Sequence, residues 1–174
     1  MYISAAHLMG LAIYSFDAMP WTMPDLLRPG LRLLVCSAPA GRASAARSGN
    51  KLWRVLHEVG LTATVLQLSD YALLLEARIG LTDLAEYVAG AALPDNALYA
   101  AQLRDVVEAI KPRALAFNGK NTASMFYRTG TQRLSYGRQT ERIGATVCYV
   151  LPSTAATSAF WSMEPWRELA RALR

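Results

Sequence analysis

Few side chains in this sequence can carry covalent or metal chemistry. The only histidines are His7 and His57, and the only cysteines are Cys36 and Cys148. Each cysteine sits inside an apolar run, Leu-Leu-Val-Cys and Thr-Val-Cys-Tyr-Val. Cysteines in such runs read as buried structural thiols, and reduced thiols suit a cytoplasmic protein. No Cys/His cluster has metal-ligand spacing, so no metal is expected. A Ser/His/Asp triad is equally improbable with two isolated histidines. No G-x-G-x-x-G or P-loop spacing is present, so no cofactor is expected and a small-molecule enzyme built around a nucleotide is disfavoured. What remains is a set of carboxylates, mostly arginine cations and a few aromatic residues, whose use depends on the elements that hold them.

Those elements alternate. Leu31-Arg32-Leu33-Leu34-Val35-Cys36 is a short apolar run bounded by Pro29-Gly30 and reads as a buried strand. Ser37 to Ser48 is rich in Ala, Ser, Gly and Arg and reads as a loop. Lys51 to Val59 has apolar residues at helical spacing and is closed by Gly60. Asp70 to Leu75 is a second helix with Ser69 as a candidate N-cap. Gly80 to Leu84 is a short strand or strand end, and Ala89 to Asn96 a small-residue loop. Tyr99 to Ile110 is an amphipathic helix with Leu103, Val106, Val107 and Ile110 on one face, stopped by Pro112. A strand at Ala114 to Phe117, a helix from Thr122 to Tyr127, a strand at Thr146 to Leu151 and a helix from Pro165 to Leu173 complete the pattern. The reading is α/β: one domain, with a central, mostly parallel sheet and helices on both faces. Ligands of such sheets bind beyond the carboxyl ends of the strands. Three loops qualify: Ser37 to Ser48, Asn118 to Lys120, and Pro152 to Ser162.

Composition agrees with one globular domain. The chain has 174 residues, 53% hydrophobic and 18% charged, with a formal net charge of +5. That excludes disordered and fibrous classes. The arginine-rich positive balance admits an anionic partner, since a guanidinium binds phosphate as a bidentate fork. It admits equally a charge that serves only solubility. Residues Ala5 to Phe16 are mostly apolar but lack a basic start and are too short to span a bilayer. No membrane association is expected, and residues 1–23 read as an N-terminal extension before a domain at 24–174.

Several blocks, in order, resemble the uracil-DNA glycosylase superfamily in its mismatch-specific uracil/thymine branch. They are Pro29 to Cys36; Asn50-Lys51-Leu52-Trp53 with Gly60-Leu61-Thr62; Gly80-Leu81-Thr82-Asp83-Leu84; the Gly137-Arg138-Gln139 turn; and Val150-Leu151-Pro152-Ser153. The resemblance implies a three-layer α/β fold and a DNA partner carrying a damaged or mismatched base. It implies a repair reaction in which a flipped base is held by its edge and its N-glycosidic bond is hydrolysed without a metal. The first motif, Ser37-Ala38-Pro39-Ala40-Gly41, and Asn50 would then form the base pocket. Arg42, Arg47, Lys120, Arg138, Gln139, Ser153, Thr154, Phe160 and Trp161 would face DNA.

The sequence departs from that family at its most important position. Pro39 stands where an asparagine usually holds the attacking water, and a proline ring offers neither a polar side chain nor an N–H. The stretch that usually carries a base-stacking aromatic, between Arg47 and Asn50, is short. A carboxylate is the group left for catalysis, and Asp83 is the candidate; Glu86 and Asp95 are alternatives. Each also has a plain structural role: Asp83 as a turn cap, Asp95 at a helix start, Glu86 as a solvated side chain. Lys120 can touch phosphate or neutralise a helix C-terminal neighbour, Gln139 can brace its own turn, and Trp53 belongs to the core. Phe160 and Trp161 are placed either as a wedge between bases or as local packing. Two readings follow: a DNA glycosylase with a diverged catalytic group, or a DNA-binding homologue that keeps the fold without the chemistry.

Overall fold

The computed structural model describes residues 25–37, 50–82, 96–155 and 160–174. Ala38, Pro39, Ala40, Gly41, Arg42, Arg47, Asp83, Glu86, Asp95 and the extension 1–23 lie outside them.

Among the described residues, β1 (Leu33–Cys36), β2 (Ile79–Thr82), β3 (Ala114–Asn118), β4 (Gly137–Ile143) and β5 (Thr146–Leu151) form one sheet in the order β2-β1-β3-β5-β4. β1 pairs parallel with both β2 and β3, and β3 pairs parallel with β5. All four residues of β1 and of β2 are buried, as are the first four of β3. Continuous apolar runs of this kind belong to strands covered on both faces. The helices are α1 (Leu52–Glu58), α2 (Asn96–Ile110), α3 (Lys120–Tyr127) and α4 (Glu164–Ala172), with a 3-10 helix at Leu68–Leu75. From β1 the chain moves one way to reach β2 and the other way to reach β3. Right-handed crossovers therefore put α1 and the 3-10 helix on one face of the sheet and α2 on the other. Helix α3 packs beside α2. The result is the expected three-layer α/β arrangement, and Leu103, Val106, Val107 and Ile110 of α2 are buried as their spacing predicts.

Three expectations need correction. β4 is a strand, where the sequence suggested only a Gly-Arg-Gln turn. It pairs antiparallel on the outside of β5, and its burial alternates along Gly-Arg-Gln-Thr-Glu-Arg-Ile. Polar alternation on a half-covered edge strand lacks the apolar run that marked the other strands. Asp70 does not open a helix capped by Ser69. The 3-10 helix starts two residues earlier, and the Asp70 carboxylate accepts the backbone N–H of Gln67 at 3.1 Å. Lys120 is the first residue of α3, so it stands at a helix N-terminus and not beside a C-terminus.

The amino-terminal edge of the sheet carries a row of arginines. Leu33 is in register with Ile79 on one side and Ala114 on the other, so Arg32, Arg78 and Arg113 enter three adjacent strands side by side. The guanidiniums of Arg32 and Arg113, together with that of Arg28, serve nearby chain ends. Arg32 donates to the carbonyls of Ala77 and Leu61, Arg113 to those of Leu173 and Ala172, and Arg28 to that of Leu75. These carbonyls lie at or just past helix ends, where cations are favoured. Burial, and behind it the charges of Arg78 and Arg113, hold the Arg32 guanidinium below the usual arginine range.

The segment before β1 is pinned by a close approach. Leu26 bridges to Leu81, and its N–H donates to the Leu81 carbonyl at 2.9 Å. Gly80 lies beneath it: a Cβ there would sit 2.5 Å from the Leu26 carbonyl oxygen and 2.5 Å from Leu31 Cδ1. Gly80→Ala is expected to destabilise the protein by about 1–3 kcal/mol, typical of overpacking. A urea denaturation midpoint that does not move would show that Leu26 yields easily.

Candidate functional site

The carboxyl ends of β1, β3 and β5 gather at one edge of the sheet. Asn118 ends β3, and its side chain grips the loop after β5 twice. Its Oδ1 accepts the Thr154 N–H at 2.9 Å, and its Nδ2 donates to the Thr154 hydroxyl at 2.9 Å. The Thr154 carbonyl in turn accepts the Lys51 N–H at 2.9 Å, which ties in the start of α1. Gly119 follows with φ +112°, and its N–H donates to the Leu151 carbonyl. A Cβ on Gly119 would sit 3.1 Å from Ser153 Cβ. Only glycine suits both that backbone and that gap. At β1, the Ser37 N–H donates to the Thr82 carbonyl at 3.0 Å, holding the start of the first loop against the end of β2.

On this frame sits a surface of cations and rings. Tyr136, just before β4, and Phe160 are stacked, with centroids 5.2 Å apart and planes 7° from parallel. The Lys120 Nζ lies 4.7 Å above the Tyr136 ring, and the Lys51 Nζ lies 4.8 Å above Trp161. Arg138, the second residue of β4, is exposed opposite Tyr149. Trp161 is partly buried and packs on the core, while Phe160 remains 55% exposed.

The sequence-expected residues divide accordingly. Ser37, Lys120, Arg138, Ser153, Phe160 and Trp161 come together around this edge. Thr154 is fully buried, so its side chain holds the loop and does not face outward. The Gln139 amide folds back to donate to the carbonyls of Ser135 and Gly137 at 3.0 and 2.8 Å, bracing the start of β4. The Asn50 Oδ1 accepts the Leu52 N–H at 2.8 Å and so starts α1. The Ser153 hydroxyl accepts the Ala155 N–H at 3.3 Å. Trp53 is buried in the core.

Sequence reasoning gave no role to Lys51, Tyr136 and Asp25, and placed Asn118 only as the first residue of a candidate loop. Asn118 was detectable as a polar residue closing an apolar strand, and Lys51 as the basic partner of Asn50. Asp25 left no signal, because its partner is distant in sequence. Its carboxylate accepts the hydroxyl of buried Thr82 at 3.1 Å, which places an acid at the carboxyl end of β2.

Chemically, this edge offers cations, aromatic faces and a carboxylate. Both thiols are fully buried, and burial pushes Cys148 up to about 11, so it stays protonated at neutral pH. Among the described residues, no three His, Cys, Asp or Glu side chains are grouped to hold a metal ion, and no helix is long and apolar enough to cross a membrane.

Asn118→Ala is expected to cost about 1–3 kcal/mol, since it strands the buried Thr154 N–H and hydroxyl without partners. Asn118→Asp keeps an acceptor for that N–H and is expected to cost less. Urea denaturation and hydrogen exchange at the Thr154 amide report both effects, and an unprotected amide in the parent protein would contradict the clamp.

Compared with known families, the chain matches the model of the uracil DNA glycosylase superfamily over residues 24–174.

Proposed function

Because the chain belongs to the uracil DNA glycosylase superfamily, we propose that it is a monofunctional DNA glycosylase of base-excision repair. It hydrolyses the N-glycosidic bond of a flipped uracil or another deaminated or mismatched base, as the mismatch-specific branch does. The observation that carries this reading is the family match over residues 24–174. The carboxyl ends of β1, β3 and β5 meet at one edge that carries Lys51, Lys120, Tyr136 and Phe160, and this supports it. In the reaction, water attacks C1′, the C1′–N bond breaks, and the base leaves with the bonding electrons before it is protonated. Positive charge builds on the sugar as the base departs, and a carboxylate nearby stabilises that charge or orients the water. Asp83 is proposed for this role. It follows Thr82, the last residue of β2, whose carbonyl accepts the Ser37 N–H at the start of the first motif. The base pocket is proposed to include Ser37, Ala38, Pro39, Ala40 and Gly41, with Asn50 placing the helix that backs it. Lys120, Arg138 and Ser153, with Arg42 and Arg47 from the first loop, are proposed to meet the DNA backbone.

Pro39 favours a second reading, a homologue that binds DNA but has lost the chemistry. An incision assay on oligonucleotides carrying uracil, hypoxanthine, xanthine or thymine opposite guanine separates the two. Cleavage at the modified site after alkali treatment is the expected result, and its absence on all four substrates would leave only binding. In the active case, Asp83→Asn is expected to lower excision at least about 100-fold while DNA affinity is retained. Near-normal excision by a folded Asp83→Asn protein would move the assignment to Asp25.

Binding itself is expected to weaken steeply with salt, because each phosphate contact by Lys or Arg releases counterions. Equilibrium titrations at several salt concentrations measure the slope. An affinity that does not respond to salt would remove DNA as the partner.

A further inference from the structure

Phe160 does not stand out from the surface as an isolated ring. It lies flat against Tyr136, with planes 7° apart and centroids 5.2 Å apart, yet 55% of the residue is exposed. A side chain that wedges into a duplex enters between two base steps, and Phe160 would have to leave Tyr136 to bring both faces between bases. Stacking on a single base asks for less: one exposed aromatic face, with cations alongside for the backbone. Both are present. The Lys120 Nζ lies over the Tyr136 ring, and the Lys51 Nζ over Trp161, the chain neighbour of Phe160. Lys120 also occupies the first position of α3, where the helix dipole disfavours a cation. Its contact with the Tyr136 ring offsets part of that cost and leaves the ammonium beside the stack.

We propose that Tyr136 and Phe160 form a stacking platform for one unpaired nucleobase, flanked by Lys51 and Lys120 for its phosphates, and that this edge therefore prefers single-stranded DNA or an unpaired stretch. Tyr136 holds Phe160 flat, and Phe160 presents its outer face to the base. The proposal rests on the reading of DNA as the partner, and it holds whether or not a base is excised.

Fluorescence anisotropy with two labelled strands tests it: a short oligothymidylate, and an abasic strand of equal length that has the phosphates without the bases. The intact protein is expected to bind the oligothymidylate about 5- to 150-fold more tightly, the range for one base–aromatic stack. Phe160→Leu keeps an apolar group that can serve as a wedge but has no ring, so it is expected to bring the two affinities together. Phe160→Trp is expected to keep them apart. Circular dichroism verifies that the variants are folded. Equal binding of both strands by the intact protein would overturn the platform and leave the DNA reading standing. So would full discrimination by Phe160→Leu. Failure to bind either strand would overturn both.

Discussion

The reciprocal bonding between Asn118 and Thr154 is the constraint on which the carboxyl edge of the sheet depends. An amide has an acceptor and a donor on one rigid plane, and here both are used on one residue, through its backbone N–H and its hydroxyl. Because Thr154 is fully buried, water offers those groups no ready substitute, and losing the clamp would leave them unsatisfied. The Thr154 carbonyl passes the constraint on to Lys51. The end of β3, the loop after β5 and the start of α1 are thereby fixed to one another before any ligand arrives. Preorganisation of this kind lowers the cost of binding at this edge, since loops that ordered only on binding would take that cost from the binding energy.

The same edge shows how polar residues divide between support and display. Thr154, Gln139 and Asn50 turn their hydrogen-bonding groups inward, to Asn118, to the carbonyls of Ser135 and Gly137, and to the N–H of Leu52. Lys51 and Lys120 are displayed, each steadied over an aromatic ring. A lysine ammonium on a flexible stem loses considerable freedom when it docks on phosphate. Resting it on a ring beforehand reduces that loss.

Much of the fold was legible in the sequence, because four of the five strands among the described residues are buried apolar runs and α2 repeats its apolar residues at helical spacing. β4 was not legible. Its residues Arg138, Gln139, Thr140, Glu141 and Arg142 are polar, and they form a strand because β5 supplies a partner edge. The same non-local logic hid much of the site. Phe160 and Trp161 stood out as aromatics in a small-residue loop, but the stack of Phe160 on Tyr136 joins residues far apart in the chain. Thr154 sat in a loop that the family resemblance turned towards DNA, and only the position of Asn118 shows that its hydroxyl points inward. Asp25 became visible as a site carboxylate once Thr82 was seen to reach it.

At the opposite edge, Arg28, Arg32 and Arg113 act as stitches between strand starts and helix ends, and every stitch is drawn to a main-chain oxygen. A carbonyl does not titrate. An ion pair such as that of Glu164 with Arg171 behaves differently: the guanidinium hydrogen bond holds the Glu164 carboxyl below its ordinary range, so its contribution is present at neutral pH and fades as acid protonates it. The arginine stitches have no such partner to lose. Acidification therefore weakens the contacts on the outer surface of α4 and leaves the arginine contacts to main-chain oxygens without a titrating partner.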